Sequence, residues 1–281
     1  MKAVVYGDLQ HQKNPCKNFG IGLEKHGINV TYIGRYDLKN TNFDNFDFAV
    51  VWAYRTGFFN MKNLGIKNVI ILENSHLNNI QKPIKEWISA GWNGLNGRAD
   101  FCNKNSPSDR WEKYFNDGRL LDYTDGEYVF IPLQIKSDMS LYHVSKNITY
   151  QKICEEIRNF TDLPIKIKEH PTLLSSWPKV VNVKDVSYLP RMMPIGDAVK
   201  NAKVVVAINS NSCVDSLIAG KPVINLDEGS MTWDIAERDF TRINLPPWPD
   251  RSQWCNNMAY CNWNPEDLRK GEAWEVLKKK L

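Results

Sequence analysis

The feature of this sequence that most constrains its fold is a repeated alternation of short apolar runs with stretches of helical character. In the first half the predicted strands are Lys2–Gly7, Asn29–Ile33, Phe46–Tyr54 and Lys67–Leu72, with a predicted helix over Asn18–His26 after the first of them. Strands joined by helices or long crossovers are typical of a parallel sheet that is covered on both faces. The sequence therefore predicts an α/β protein.

The alternation restarts near residue 128 and continues to about residue 228. Here the predicted strands are Tyr128–Gln134, Pro164–Lys168, Lys203–Ile208 and Pro222–Leu226, and the predicted helices are Ile148–Phe160, Asp197–Ala202 and Ser212–Ala219. Between the two series, residues 74–125 are rich in Asn, Gly, Trp and charge and show little periodicity. A segment of this length without a clear pattern is usually functional in a compact chain.

This interruption sets the predicted domain organisation. We expect Rossmann-like domains over 1–127 and 128–250, and a helical segment over 251–281 that packs back across them. The 281 residues are enough for two modest domains. Because ligands bind outside the carboxyl ends of the strands in open parallel sheets, we expect the two domains to face each other across a cleft.

Composition narrows the range of functions. The 36 Lys and Arg against 32 Asp and Glu give a net charge of +4, which permits a polyanionic partner such as DNA without requiring one. The sequence contains no run of about 18 apolar residues, so a membrane span is not expected. The N-terminus also lacks a signal-peptide pattern. We therefore expect a cytoplasmic protein with no membrane partner. Neither a Cys-x-x-Cys pair nor an Asp-x-Asp sequence occurs, so no metal site is expected.

A polar cluster between a predicted strand and a predicted helix is the strongest local signal for a site. It consists of Asn209, Ser210, Asn211 and Ser212. The first turn of a helix has unpaired backbone N–H groups and the positive end of the helix dipole. The cluster therefore either caps the helix or binds a phosphate.

A histidine gives the second signal. His170 follows the predicted strand Pro164–Lys168 and precedes Pro171, which keeps His170 out of the helical conformation. It is either a structural side chain or a hydrogen-bond donor that faces a ligand at the carboxyl end of its strand.

These motifs together resemble a known group of enzymes. The order His170-Pro171, then the polar cluster, then Asp215 and Gly220-Lys221-Pro222 resembles the donor-binding half of nucleotide-sugar glycosyltransferases with two Rossmann-like domains, the GT-B architecture. It is particularly similar to the capsular polysaccharide biosynthesis group, which has a polar residue at the place of Gln134. The resemblance covers residues 128–228.

The resemblance implies roles for these residues. Ser210, Asn211 and Ser212 would hold the diphosphate of a nucleotide sugar, with Asn209 and Gln134 in the same donor site. His170 would stabilise the charge that develops on the leaving nucleotide. Asp215 would accept hydrogen bonds from the ribose hydroxyls. The nucleotide sugar, with uridine as the expected nucleotide, would be a substrate, and no cofactor is expected.

Two further segments, Trp87–Asp100 and Trp254–Trp263, resemble glycosyltransferase-like proteins of tailed bacteriophages. Such proteins often have Glu-Arg-Gly where this chain has Glu73-Asn74-Ser75. The resemblance implies that the acceptor is a hydroxymethylated pyrimidine in phage DNA, flipped out of the duplex, and that the protein acts in the host cytoplasm. Arg98, Arg110 and Trp92 would then contact the acceptor.

Transfer with inversion also needs a general base, which the first domain would supply. The candidates, in order of preference, are Glu73, Asp8 and Asp100. The predicted function is a hexosyl- or pentosyltransferase that modifies DNA. The alternatives are a glycosyltransferase acting on a capsule or lipopolysaccharide glycan, a non-catalytic DNA-binding relic of the same fold, and a nucleotide-sugar epimerase. The oligomeric state is left open.

Overall fold

A computed structural model describes residues 1–78, 86–172 and 177–281. Its strands are β1 (Lys2–Tyr6), β2 (Asn29–Ile33), β3 (Phe48–Trp52), β4 (Val69–Asn74), β5 (Ile88–Trp92), β6 (Tyr128–Pro132), β7 (Ile165–Lys168), β8 (Val186–Tyr188), β9 (Ala202–Ala207), β10 (Val223–Asn225) and β11 (Asn262–Trp263). Its α-helices are α1 (Gln10–Lys25), α2 (Phe59–Asn63), α3 (Asp109–Tyr114), α4 (Tyr150–Arg158), α5 (Ile195–Val199), α6 (Ser212–Ile218), α7 (Ser252–Ala259), α8 (Pro265–Lys270) and α9 (Glu272–Leu277).

The described residues divide into two compact units. The first contains Met1–Asn78, residues 86–115 and Ser252–Leu281, and the second contains Asn116–Arg251. The boundary therefore lies ahead of the predicted one between 127 and 128. The reason is that the connecting segment bonds to the second unit, with Leu121 N donating to Ile218 O and Thr124 N to Gly220 O.

The sheet of the first unit has the strand order β11-β5-β4-β3-β1-β2. Its pairs β1–β2, β1–β3 and β3–β4 are parallel, while β5 and β11 extend it in antiparallel fashion. All five residues of β3 are buried, as expected for a central strand with both faces covered. The strand order reverses between β1 and β3, so the carboxyl ends of these two strands form a topological switch point.

The C-terminal segment completes the core of this first unit. β11 pairs with β5, and the Trp274 ring of α9 stacks on Phe48 of β3 with 5.0 Å between ring centroids. The Trp92 indole is wholly buried and its Nε1 donates to Leu277 O at 2.9 Å. Residues 252–281 therefore belong to the first unit, whereas the sequence predicted a segment spanning both domains.

The sheet of the second unit is parallel throughout, with the order β10-β9-β6-β7-β8. This is the Rossmann order, and its switch point lies between β6 and β9. Helix α4 packs Ile153 and Ile157 into the core of this sheet. α6 ends at Ile218 and is followed by Gly220, whose φ of +70° and close approach to Asp122 O leave no room for a side chain.

The structure thus confirms an α/β protein with two Rossmann-like units. No helix in the described parts of the chain is long and apolar enough to cross a bilayer. All six cysteines are free thiols. Across the same residues, no group of three or more His, Cys, Asp or Glu side chains is placed to hold a metal ion.

Candidate functional site

Two amide side chains meet at the switch point of the second unit. Gln134 follows β6 and Asn209 follows β9, the two strands between which the strand order reverses. Gln134 Nε2 donates to Asn209 Oδ1 at 2.7 Å, and Asn209 N donates to Gln134 Oε1 at 3.2 Å. Both side chains are buried. The amides therefore fasten the two strand ends to each other at the edge where a Rossmann sheet binds its ligand.

Further hydrogen bonds use up the remaining polar atoms of this pair. Asn209 Nδ2 donates to Ser140 O at 2.8 Å and to Asp227 Oδ2 at 2.6 Å, and the same Asp227 oxygen accepts from Gly229 N. Gln134 Nε2 also donates to Ser140 Oγ. Because these amides bond within the protein, we revise the predicted direct donor contacts of Gln134 and Asn209: their geometry is that of positioning residues.

The turn that this network holds carries the three other residues of the polar cluster. Asn211 is exposed, and Ser210 and Ser212 are half-buried. Ser210 Oγ accepts from Ser212 N at 3.2 Å, and Asn211 is the N-cap residue of α6. The structure thus brings these polar residues together at the carboxyl edge of β9, beside the end of β6.

His170 lies on the exposed loop that follows β7. Its Nδ1 accepts a hydrogen bond from Thr172 N at 3.1 Å, so the proton of the neutral ring is on Nε2. Partial burial is the main reason that the pKa of His170 is lowered, and the charge of Lys168 lowers it further, against the opposing effect of Asp138. A neutral imidazole with a free Nε2–H can donate to a phosphate oxygen.

Two residues near His170, Lys168 and Asp138, were not identified from the sequence as part of the candidate site. Lys168, the last residue of β7, is only 6% exposed, and Asp138 lies close enough to act on the pKa of His170. The alternation of Lys166-Ile167-Lys168 is typical of a strand with a solvated face, which hid the burial of the second lysine. Its place at the strand end, two residues before His170, was the available signal.

Asp215 projects from the first half of α6. Its Oδ1 is shut off from solvent and has no hydrogen-bond partner among the described residues. Burial raises the pKa of this carboxyl from its usual value to about 7. A buried carboxyl oxygen without a partner is costly, so it is suited to accept from a ligand hydroxyl.

The three candidate bases of the first unit differ in their surroundings. Asp8 is half-buried and follows β1 at the switch point. Glu73 lies within β4, where its Oε1 accepts from Asn74 N at 2.9 Å. Asp100 pairs with Lys280 at 2.7 Å; burial tends to raise its pKa, but the hydrogen bonds from Lys280 and Cys102 lower it on balance. Of the three, Asp8 has the position expected of a ligand-facing acid.

The structure contradicts two of the three predicted acceptor contacts, because the side chains of Trp92 and Arg110 are buried. Trp92 is 0% exposed and packs in the core of the first unit. Arg110 is 6% exposed, forms an ion pair with Asp267 at 2.8 Å, and lies 4.1 Å from the Trp263 ring centroid. Neither side chain can reach an acceptor, because both are buried and make their contacts inside the first unit. Arg98, in the 3₁₀ turn Asn96–Arg98, is half-buried and remains a candidate.

Comparison with known proteins gives one partial family match and several structures of similar fold. The family described as capsule polysaccharide biosynthesis protein matches residues 107–236, somewhat less than half of the chain. The match supports the resemblance to the capsular polysaccharide group. A comparison with curated protein sequences gives no match.

Two solved structures have a similar fold over almost the whole chain. The β-Kdo 2,4 transferase of KpsC from Thermosulfurimonas dismutans has a TM-score of 0.59 at 13% identity, covering 92% of this chain and 90% of that one. The β-Kdo 2,7 transferase of the same protein has a TM-score of 0.55 at 15% identity, covering 100% of both chains. At this identity the likeness shows the fold, and the predicted GT-B class is confirmed. Neither match supports the resemblance to phage proteins.

Proposed function

We propose that this protein is a glycosyltransferase that moves a sugar from a nucleotide-activated donor to a hydroxyl of a cell-surface glycan. The observation that carries the proposal is the polar edge of the second unit. At this edge the turn Ser210–Ser212 follows β9 at the switch point, and His170 follows β7, which is separated from β9 by β6 alone. The match to the capsule polysaccharide family covers Ser210–Ser212 and His170 and supports the same conclusion.

The chemistry assigned to this edge is stabilisation of the leaving group. As the bond between the anomeric carbon and the phosphate oxygen breaks, the electron pair departs with the nucleotide. His170 Nε2–H and the hydroxyls of Ser210 and Ser212 donate to the phosphate oxygens on which this charge collects. Asp215 accepts from the ribose hydroxyls and thereby satisfies its buried oxygen.

The acceptor hydroxyl forms the new bond to the anomeric carbon and loses its proton to a base. We assign the base to Asp8, in preference to Glu73 and Asp100, because of its place at the switch point of the first unit. Asp100 is held by Lys280 and therefore has a lowered pKa, which makes it a poorer base. This general base is required if the transfer inverts the configuration at the anomeric carbon.

A glycan is favoured over DNA as the acceptor for two reasons. The family match concerns capsule polysaccharide synthesis. In addition, Trp92 and Arg110, two of the three residues expected to contact DNA, are buried in the core of the first unit. A net charge of +4 gives no independent reason to expect a nucleic acid.

The proposal is tested by offering the protein a panel of nucleotide sugars with either an oligosaccharide acceptor or hydroxymethylated duplex DNA, and by analysing products with mass spectrometry. We expect transfer to the oligosaccharide. Transfer to DNA alone would overturn the glycan acceptor and support the DNA acceptor predicted from the sequence. The absence of both transfer and donor hydrolysis would contradict glycosyl transfer. His170→Ala should abolish product formation. His26→Ala is the matched control, since His26 pairs with Glu275 in the first unit.

A further inference from the structure

Lys168 is a buried cation without a counter-ion. It ends β7 at the carboxyl edge of the second sheet, and it is 6% exposed. Its Nζ donates to Glu169 O at 3.3 Å. Within residues 1–78, 86–172 and 177–281, no carboxylate forms an ion pair with it. A buried ammonium is strongly disfavoured unless it is paired or fully hydrogen-bonded, so this environment is incomplete.

Two other buried cations among the described residues, Arg110 and Lys221, are compensated. The Arg110 guanidinium pairs with Asp267 at 2.8 Å and with Glu272 at 3.2 Å. Lys221, which is also buried, donates to two carbonyl oxygens, those of Thr124 and Asp125. Lys168 has one such partner at a longer distance. Arg110 and Lys221 therefore have partners within the protein, whereas the Lys168 ammonium has N–H groups without an acceptor among the described residues.

The neighbouring acid does not supply the missing charge. Glu169 bonds through one carboxylate oxygen to Lys179 at 3.0 Å and through the other to Arg191 at 2.8 Å. The charge of Lys168 is close enough to lower the pKa of His170. Two potential donors thus adjoin each other at the edge where the ligand is proposed to bind.

We propose that Lys168 binds a phosphate oxygen of the nucleotide donor, together with His170. This inference rests on the proposed function and assigns a specific anion-binding residue to it. Burial lowers the pKa of Lys168 in the unliganded protein. A phosphate would reverse this effect, because an opposite charge at hydrogen-bond distance favours the ammonium form. A short charge-assisted hydrogen bond of this kind is among the stronger polar contacts of a binding site.

The test measures what the phosphate contributes to binding with and without the lysine. Titration calorimetry compares uridine with UMP and UDP, and cytidine with CMP, on the intact chain and on Lys168→Met. In the intact chain the nucleotides should bind more tightly than their nucleosides. In Lys168→Met this preference should fall roughly 10- to 100-fold, since a hydrogen bond between charged groups has that effect on affinity. Nucleoside affinity should be unchanged.

Lys166→Met is the matched control. Lys166 precedes Lys168 on the same face of β7, but its Nζ lies 3.9 Å from the Tyr128 ring centroid. This variant should keep the nucleotide preference. Lys168→Gln, which retains length and polarity, replaces Lys168→Met if thermal unfolding shows that the methionine variant does not fold.

Each outcome decides between the two proposals. If Lys168→Met or Lys168→Gln retains the full preference for nucleotides, the assignment of Lys168 is wrong and the proposed glycosyl transfer is unaffected. An equal loss of nucleoside and nucleotide binding would show a structural role and also overturn the assignment. If the intact chain binds neither uridine nor cytidine nucleotides, both the phosphate contact of Lys168 and the proposed nucleotide-sugar donor are wrong.

Discussion

At the scale of single residues, the buried carboxyl of Asp215 makes the stability of the protein depend on pH. Its pKa is about 7 in the folded chain, against about 3.9 for an unperturbed aspartate. Between these values the folded state holds a proton that the unfolded state has released. The stabilisation from this proton is complete below about pH 4 and is lost as the pH rises through 7.

Replacing Asp215 by Asn should remove this loss. We expect the unfolding free energy of the wild-type protein to fall relative to Asp215→Asn by at least about 1 kcal/mol between pH 5 and pH 8, since one pKa unit corresponds to about 1.4 kcal/mol. Urea denaturation at the two pH values measures the difference. Asp197→Asn, an exposed acid on α5, is the control and should follow the wild-type protein. Parallel pH dependence in all three proteins would contradict the buried carboxyl.

Single residues are also where prediction from sequence failed most clearly. Arg110 and Trp92 lie in the segment 74–125, which is rich in Asn, Gly, Trp and charge, and the resemblance to phage proteins implied that both contact the acceptor. Arg110 is neutralised by Asp267, and the Trp92 indole bonds to Leu277 O, both far away in sequence. The polarity of sequence neighbours says nothing about partners that only the fold brings close. The burial of Lys168 was missed for a different reason, because the alternation of Lys166-Ile167-Lys168 indicated a solvated face.

At the scale of elements, the pairing of Gln134 with Asn209 fastens the loop after β6 to the turn after β9. Removing the Gln134 amide leaves buried polar atoms of Asn209 without partners. Gln134→Ala should therefore destabilise the protein by about 1–3 kcal/mol, and nucleotide affinity should fall with it. Gln10→Ala is the control, because Gln10 is exposed at the start of α1 and should change stability by less than about 0.5 kcal/mol. Equal effects of the two substitutions would show that the buried pair has no special role.

The elements that were predicted correctly have local signatures. The β-branched run of β9, the polar turn after it and the Gly220 stop of α6 each depend on residues close in sequence. By contrast, β5 and β11 were missed. Ile88-Ser89-Ala90-Gly91-Trp92 shows no clear alternation, and it becomes a strand because β4 and β11 pair with it. A strand defined by its neighbours has little signal of its own.

At the scale of the whole molecule, the chain returns to its first unit after completing the second. Residues 252–281 supply β11 and helices α7, α8 and α9 to a unit that begins at Met1. The sequence predicted a helical C-terminus but not which unit it completes. Helical periodicity identifies an apolar face without identifying the surface that this face covers.

This arrangement predicts the effect of removing the C-terminal segment. Deletion of residues 252–281 takes six buried apolar residues from the core of the first unit, of which Trp263, Leu268, Trp274 and Leu277 have the largest side chains. Each contributes about 1.5–3 kcal/mol when fully buried, and the sum is comparable with a typical total stability of about 5–15 kcal/mol. The first unit should therefore lose its fixed tertiary structure, which near-UV circular dichroism of its tryptophans would show.

A shorter deletion separates this effect from loss of the chain end as such. Removing only residues 278–281, which are exposed, preserves Leu277 and its carbonyl bond with Trp92. It breaks the ion pair of Lys280 with Asp100, a pair near the surface worth no more than about 1 kcal/mol. This variant should keep the near-UV spectrum of the intact protein. A native spectrum after the longer deletion would mean that the first unit is stable without its last strand and helices, against the packing of Trp274 on Phe48.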